Sequence, residues 1–167
     1  MLKWLWVSLV VIILDQVSKT MMVSWLDLYQ QVIVIPHFNL TMAHNTGAAF
    51  SFLADAGGWQ HWFFLTLAIG VSVFLLFWLK GLTQHNKLEA FSLVMIIGGA
   101  IGNVIDRFNY GYVIDFLQFY ADFLTPILGG PYFPAFNLAD SAIFLGATLL
   151  IIDSFKSKSQ HNNEVKG

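Results

Sequence analysis

The chain contains no cysteine and very little charge. The missing cysteines exclude a disulfide framework, a thiolate nucleophile and a thiolate zinc site. Of its 167 residues only 11% are Asp, Glu, Lys or Arg, less than half of the roughly 25% carried by an average soluble domain. The formal net charge of −2 leaves no electrostatic footprint for nucleic acid. There is no H-E-x-x-H pair for zinc and no G-x-S-x-G nucleophile elbow. His37 and His44 have opposite parity along a predicted strand, so they do not face one another. Apolar residues are abundant instead: 57% of the chain is hydrophobic and 16% aromatic. A soluble core of this size cannot hide so much apolar surface and still clothe itself in polar groups. An ordinary soluble enzyme and a disordered chain are thus both excluded, which leaves an integral membrane protein.

A helix crosses the ~30 Å hydrocarbon layer with about 20 residues. Four stretches qualify: 4–26, 62–79, 88–105 and 135–152. They predict an all-α membrane protein, a four-transmembrane-helix bundle forming a single integral domain. Asp15 and Lys19 interrupt the first span, and Trp59, Trp62 and Trp78 mark the two interfaces of the second. Glu89 begins the third. Pro134 opens the fourth, placing Asp140 roughly 9 Å along that helix. A cleaved signal peptide is the rival reading of the N-terminus, since Lys3 precedes an apolar run. No A-x-A-like site follows, and Met21, Met22 and Trp25 continue the run. Six lysines (Lys3, Lys80, Lys87, Lys156, Lys158 and Lys166) fall in the N-terminus, the 80–87 turn or the 153–167 tail, whereas 27–58 and 106–134 hold only Arg107 as a basic residue. The positive-inside rule predicts cytoplasmic termini and two outer loops, 27–58 and 106–134. In the first loop Val32 to Met42 alternates with the period of a half-buried strand, at an edge or broken at Pro36. A small extracytoplasmic β-sheet on the outer membrane surface is expected.

Ionisable and amide side chains within or beside such spans cost free energy to insert, and persist where they pair, line a wet cavity or do chemistry. They fall into five clusters. Asp15 and Lys19, four residues apart, share one helix face with the acid N-terminal to the base. They form either an internal ion pair or part of a site. Ser18 and Lys19 point about 100° apart, which is poor geometry for a Ser–Lys dyad. Asn45-Thr46-Gly47-Ala48-Ala49-Phe50 reads as a turn with accessible backbone amides, or simply as a connection. In Gly98-Gly99-Ala100-Ile101-Gly102-Asn103-Val104-Ile105-Asp106-Arg107, Gly98 and Gly102 suit close helix packing. Packing does not explain Asn103 and Arg107, which point the same way four residues apart. Asp115 stands among Val113, Ile114, Phe116 and Leu117. Phe136-Asn137-Leu138-Ala139-Asp140-Ser141 completes the set.

Taken singly, Asp115 reads as a surface-loop acid and Asp140 as a helix-start acid favoured by the dipole. Together, flanked by Asn103, Arg107 and Asn137, they predict a pair beneath the outer surface. Two carboxylates within a few ångströms cannot both ionise and so share a proton, making one a base and the other an acid. That arrangement activates water for amide hydrolysis. A proton-coupled carrier would use Asp15, Lys19 and Asp140 as a relay, but no inverted repeat or pair of broken helices is present. A scaffold leaves the two inner-facing acids unexplained.

The five clusters, in this order and on four spans, resemble the lipoprotein signal peptidases (signal peptidase II) of bacterial cytoplasmic membranes. The resemblance covers nearly all of the chain except the tail. It implies an aspartic endopeptidase that cleaves prolipoproteins on the N-terminal side of a diacylglyceryl-modified cysteine, without cofactor or metal. Asp115 and Asp140 would be its catalytic dyad. Asp15, Lys19, Asn45, Gly47, Asn103, Arg107, Asn137 and Ala139 match positions that shape or support the family's site. The implied partners are lipidated precursors, membrane lipid and globomycin-type inhibitors, with the site near the outer leaflet of the inner membrane. Tyr120 to Pro131 makes the segment between the two aspartates long.

Overall fold

The computed structural model describes residues 1–47 and 57–164, with side chains through residue 156. Its elements in chain order are α1 (Leu5–Trp25), β1 (Gln31–Ile35), β2 (Phe38–Asn45), α2 (Trp59–Gly81), α3 (Lys87–Tyr110), β3 (Val113–Phe119), α4 (Thr125–Leu128) and α5 (Leu138–Glu164). Among the described residues four helices are long and apolar enough to cross a membrane. With the small antiparallel sheet, they match the fold class expected from the sequence.

α3 is central and packs against α1, α2 and α5. At one end of the bundle the core is aliphatic, with Val7, Leu75, Leu79, Leu93, Val94 and Ile97 buried together. Farther along, glycines bring the backbones close. Gly98 lies against Ser8 and Val11 of α1, and Gly102 against Asp15 and Ala139. A methyl group at Gly99 would fall on the Ala139 carbonyl oxygen and within 2.8 Å of Ile143 Cγ1. Gly99→Ala therefore wedges α3 from α5 and is expected to cost about 1–3 kcal/mol, read as a lower unfolding midpoint in detergent. Gly81→Ala is the control, because nothing lies within 4 Å of a Cβ there. An equal midpoint for the two variants would contradict the close α3–α5 approach.

The sheet has the order β1-β2-β3. The expected break at Pro36 is present: Pro36 and His37 form a turn between β1 and β2, with His37 at φ 70. A register shift between Leu40 and Ala43 interrupts strict alternation, so Thr41 and Met42 are both buried. Asn39 is buried as well, whereas alternation predicted a solvated polar face for Asn39 and Thr41.

Two boundaries differ from the sequence expectation. α3 continues to Tyr110, so Asp106 and Arg107 are helical rather than part of an outer loop. Gly111 ends it in the left-handed conformation, φ 82, with its N–H donated to the Arg107 carbonyl at 3.0 Å, as an αL cap requires. The fourth span begins at Leu138 rather than Ala135. Phe136 is held extended by pairing with Leu117, accepting from Leu117 N–H at 2.8 Å and donating back at 2.9 Å. Asp140 accordingly sits in the first turn of its helix and not well along it.

The long segment between the two aspartates leaves the sheet and returns to it. Phe133 N–H donates to the Phe119 carbonyl at 2.8 Å and Ala121 N–H to the Pro131 carbonyl at 2.8 Å, and Tyr120 pairs with Tyr132. Residues 121–131 are therefore an excursion with a closed neck.

Candidate active site

The site is built where α5 begins. Asn137 Oδ1 accepts the Asp140 N–H at 2.8 Å, and Asp140 Oδ2 accepts the Asn137 N–H at 3.2 Å. This reciprocal pair is a capping box, which satisfies backbone donors that a helix start otherwise leaves open. The Asn137 side chain also turns toward the sheet, donating from Nδ2 to Asp115 Oδ1 at 2.7 Å. Asn137, fully buried, thus stands between the two residues: its side chain bonds the Asp115 carboxyl and the Asp140 N–H, and its backbone N–H bonds the Asp140 carboxyl. Asn45 Nδ2 donates to the other oxygen of Asp115 at 2.9 Å, and Asn103 Nδ2 donates to Asp140 Oδ1 at 2.7 Å.

Beneath the pair lies a buried ionic cluster. Lys19 Nζ donates to Asp15 Oδ2 at 2.8 Å, Asp106 Oδ2 at 2.8 Å and Asn103 Oδ1 at 3.0 Å. Its three donors are all committed. Both readings of Asp15 and Lys19 thus describe the same contact, an ion pair that also holds Asn103. Asp15 Oδ1 further accepts the Ala139 N–H at 2.9 Å, tying α1 to the start of α5. Asn45 Oδ1 accepts the Gly47 N–H at 3.0 Å, closing the turn that follows β2. Arg107 donates to the Gly47 carbonyl at 2.9 Å and lies 5.6 Å from the Phe64 ring centroid, a cation–π distance. All ten residues singled out in the sequence therefore gather in one region. The remaining residues of the second cluster, Ala48, Ala49 and Phe50, lie outside the described residues.

Two members, Asp106 and Gln16, were not singled out. Asp106 is 1% exposed. Besides Lys19 it accepts from Gln16 Nε2 at 2.8 Å and from the Ile114 N–H at 3.1 Å. The last bond fixes β3 one residue before Asp115. The spacing Asn103-x-x-Asp106 was the available signal, since three residues bring side chains to adjoining positions on a helix. Among the described residues no group of three or more His, Asp or Glu is placed to hold a metal ion.

Asp115 is 2% exposed. Burial first and the nearby Asp140 second push its carboxyl up to about 7, against the bonds from Asn45 and Asn137 and the charge of Lys19. An acid whose folded pKa exceeds its ordinary 3.8 weakens the fold as pH rises between those two values, because ionisation is easier once the chain unfolds. Asp115→Asn is therefore expected to gain stability relative to the parent on going from pH 5 to pH 8, measured as paired unfolding midpoints. An unchanged difference would contradict the raised pKa.

Residues 7–156 match the model of a family described as Signal peptidase (SPase) II. The chain belongs to the signal peptidase II family. Among its relatives is the lipoprotein signal peptidase of Alteromonas mediterranea, 50% identical over 98% of this chain and 86% of that protein. The lipoprotein signal peptidase of Pseudomonas aeruginosa strain PAO1 is 50% identical over 94% of this chain and 90% of that protein. A solved structure described as a bacterial membrane enzyme matches with a TM-score of 0.82 at 31% identity, over 96% of this chain and 92% of that one. A second with the same description gives 0.76 at 30% identity, over 93% and 94%. The family resemblance and fold class read from the sequence both hold. Signal peptidase II is a peptidase family, and its four apolar helices make this chain a multi-pass membrane protein.

Proposed function

We propose that this chain removes signal peptides from prolipoproteins as an aspartic endopeptidase, cleaving N-terminal to a diacylglyceryl-modified cysteine. The observation that carries the reading is Asn137, hydrogen-bonded at once to Asp115 and Asp140. Asp140 stands at a capped helix start, where backbone dipoles favour an anion, while burial keeps the shared proton on Asp115. Asp140 takes a proton from water as the oxygen attacks the scissile carbonyl, and Asp115 gives its proton to the carbonyl oxygen. Collapse of the tetrahedral intermediate breaks the C–N bond. The leaving nitrogen takes the proton from Asp140, and Asp115 is reprotonated from the hydroxyl, leaving a carboxyl on the signal peptide and an amine on the cysteine. Asn45, Asn103 and Asn137 orient the two acids, while Asp15, Lys19, Gly47, Arg107 and Ala139 hold the elements that carry them.

The lysine distribution supports cytoplasmic termini and a sheet outside the inner membrane. A site at the outer ends of α3 and α5 meets the scissile bond while the diacylglyceryl chains stay in the outer leaflet. The signal helix unwinds there, since an intact helix hides its amides. Globomycin-type inhibitors would bind at the same site.

The test incubates purified protein in H₂¹⁸O with a precursor, lipidated or unlipidated, and reads products by mass spectrometry. The expected result is cleavage before the modified cysteine of the lipidated precursor only, with one ¹⁸O in the released signal peptide. No cleavage, or equal cleavage without the lipid, overturns the reading. Above pH about 7 the shared proton is lost from Asp115, so cleavage is expected to decline on that side.

A further inference from the structure

We propose that the 121–131 excursion and the β1–β2 hairpin tip form an interfacial anchor, immersed in the headgroup–acyl boundary of the leaflet beside the sheet. The proposal is independent of the chemistry assigned to the site. It rests on how the sheet is hung. β3 begins three residues after α3 ends, and Phe136, paired with Leu117, stands two residues before α5 begins. From Val113 to Leu117 the strand advances about 13 Å, enough to cross between the ends of two helices packed about 8–10 Å apart. β3 therefore runs along the membrane surface rather than rising from it. Past Leu117 it continues beyond the start of α5, and the excursion follows it out over lipid.

The overhanging surface suits lipid and not water. Phe123 is 72% exposed and Ile127 75%. Across the tie to the hairpin, Ile33 is 69% exposed and Ile35 58%. Residues 28–38 hold no Asp, Glu, Lys or Arg, and residues 116–136 hold only Asp122. Apolar patches of this kind on the extramembrane part of a protein mark a contact surface. Here the surface adjoins spans that are already in the bilayer, so the occupant is the lipid itself. The two parts are held as one unit: Tyr120 N–H donates to the His37 carbonyl at 3.1 Å, and His37 Nδ1 donates to the Tyr120 carbonyl at 3.1 Å. Immersion of about 5–10 Å, usual for interfacial segments, would fix the depth of the strand that carries Asp115.

The cysteine-free chain allows a clean test. Phe123→Cys and Ile127→Cys are each spin-labelled in vesicles of phosphatidylethanolamine and phosphatidylglycerol. Gln84→Cys, exposed in the α2–α3 turn, serves as the water-facing reference. Power saturation is expected to show labels at 123 and 127 relaxed by oxygen several-fold more than by a nickel chelate, the reverse of position 84. A label at Ile35→Cys is expected to show the same lipid signature, and to lose it when Phe123→Asp and Ile127→Asp are introduced together. Melting in detergent checks that this variant is folded. Nickel access at 123 and 127 equal to that at 84 overturns the proposal. So does spin–spin broadening between copies, which would mean a second chain covers the patch, or exclusion of both reagents, which would mean protein burial.

Discussion

Asp115→Asn and Asp140→Asn are each expected to lower cleavage of a diacylglyceryl-modified precursor by about 10²–10⁴-fold, the usual contribution of a positioned acid or base. Asparagine keeps the size of the side chain but can neither ionise nor relay a proton. The two losses are expected not to multiply, because residues that act as one unit give non-additive effects. The double variant should therefore be about as inactive as either single one. Asp115 is bonded through both oxygens to the amide donors of Asn45 and Asn137. An asparagine there satisfies one and turns its own donors toward the other, a local mismatch of about 1–3 kcal/mol. Unfolding midpoints beside the cleavage rates separate lost chemistry from lost fold. Activity at the parental level in either folded variant removes the dyad from the mechanism.

The largest loss of stability is expected at Lys19. Lys19→Met removes the cation that bonds two buried carboxylates, Asp15 and Asp106, each 2.8 Å away. Breaking a buried pair from one side costs about 3–5 kcal/mol, because the remaining charge is left without compensation. Equilibrium unfolding in mixed micelles measures it. Adding Asp15→Asn and Asp106→Asn to Lys19→Met neutralises the stranded charges while keeping an acceptor at each position, and should restore most of the loss. If Lys19→Met alone stays within about 1 kcal/mol of the parent, the cluster is not the ionic keystone that burial implies. If the triple variant is no better than the single one, the loss is one of packing.

The spans and the acids were legible because each violates an ordinary pattern. Eighteen uncharged residues from Trp62 to Leu79 have no place in a soluble domain, and an Asp–Lys pair inside a span has few bland explanations. β3 was not legible. Val113, Ile114, Asp115 and Phe116 are buried in succession, so the strand carries no alternation to betray it. Asp106 was hidden by position. It falls at the end of an apolar run, where an outer loop was expected to start, yet Gly111 and not Ile105 is where the helix closes. Pro134 misled about Asp140, because proline favours a first helical position, but pairing of Phe136 with Leu117 keeps the backbone extended for three residues more. Asn137 read as a companion of the acids. That it caps a helix with one end and holds the sheet with the other depends on tertiary contacts no spacing encodes.

The closed neck at Tyr120 and Tyr132 has a consequence for how such chains can diverge. Whatever lies past that pairing is geometrically insulated from Asp115 and Asp140, so it can lengthen, shorten or change its chemistry without altering the distance from one carboxyl to the other. Evolution can thus retune how the outer half grips its surroundings and leave the Asp115–Asp140 pair in place.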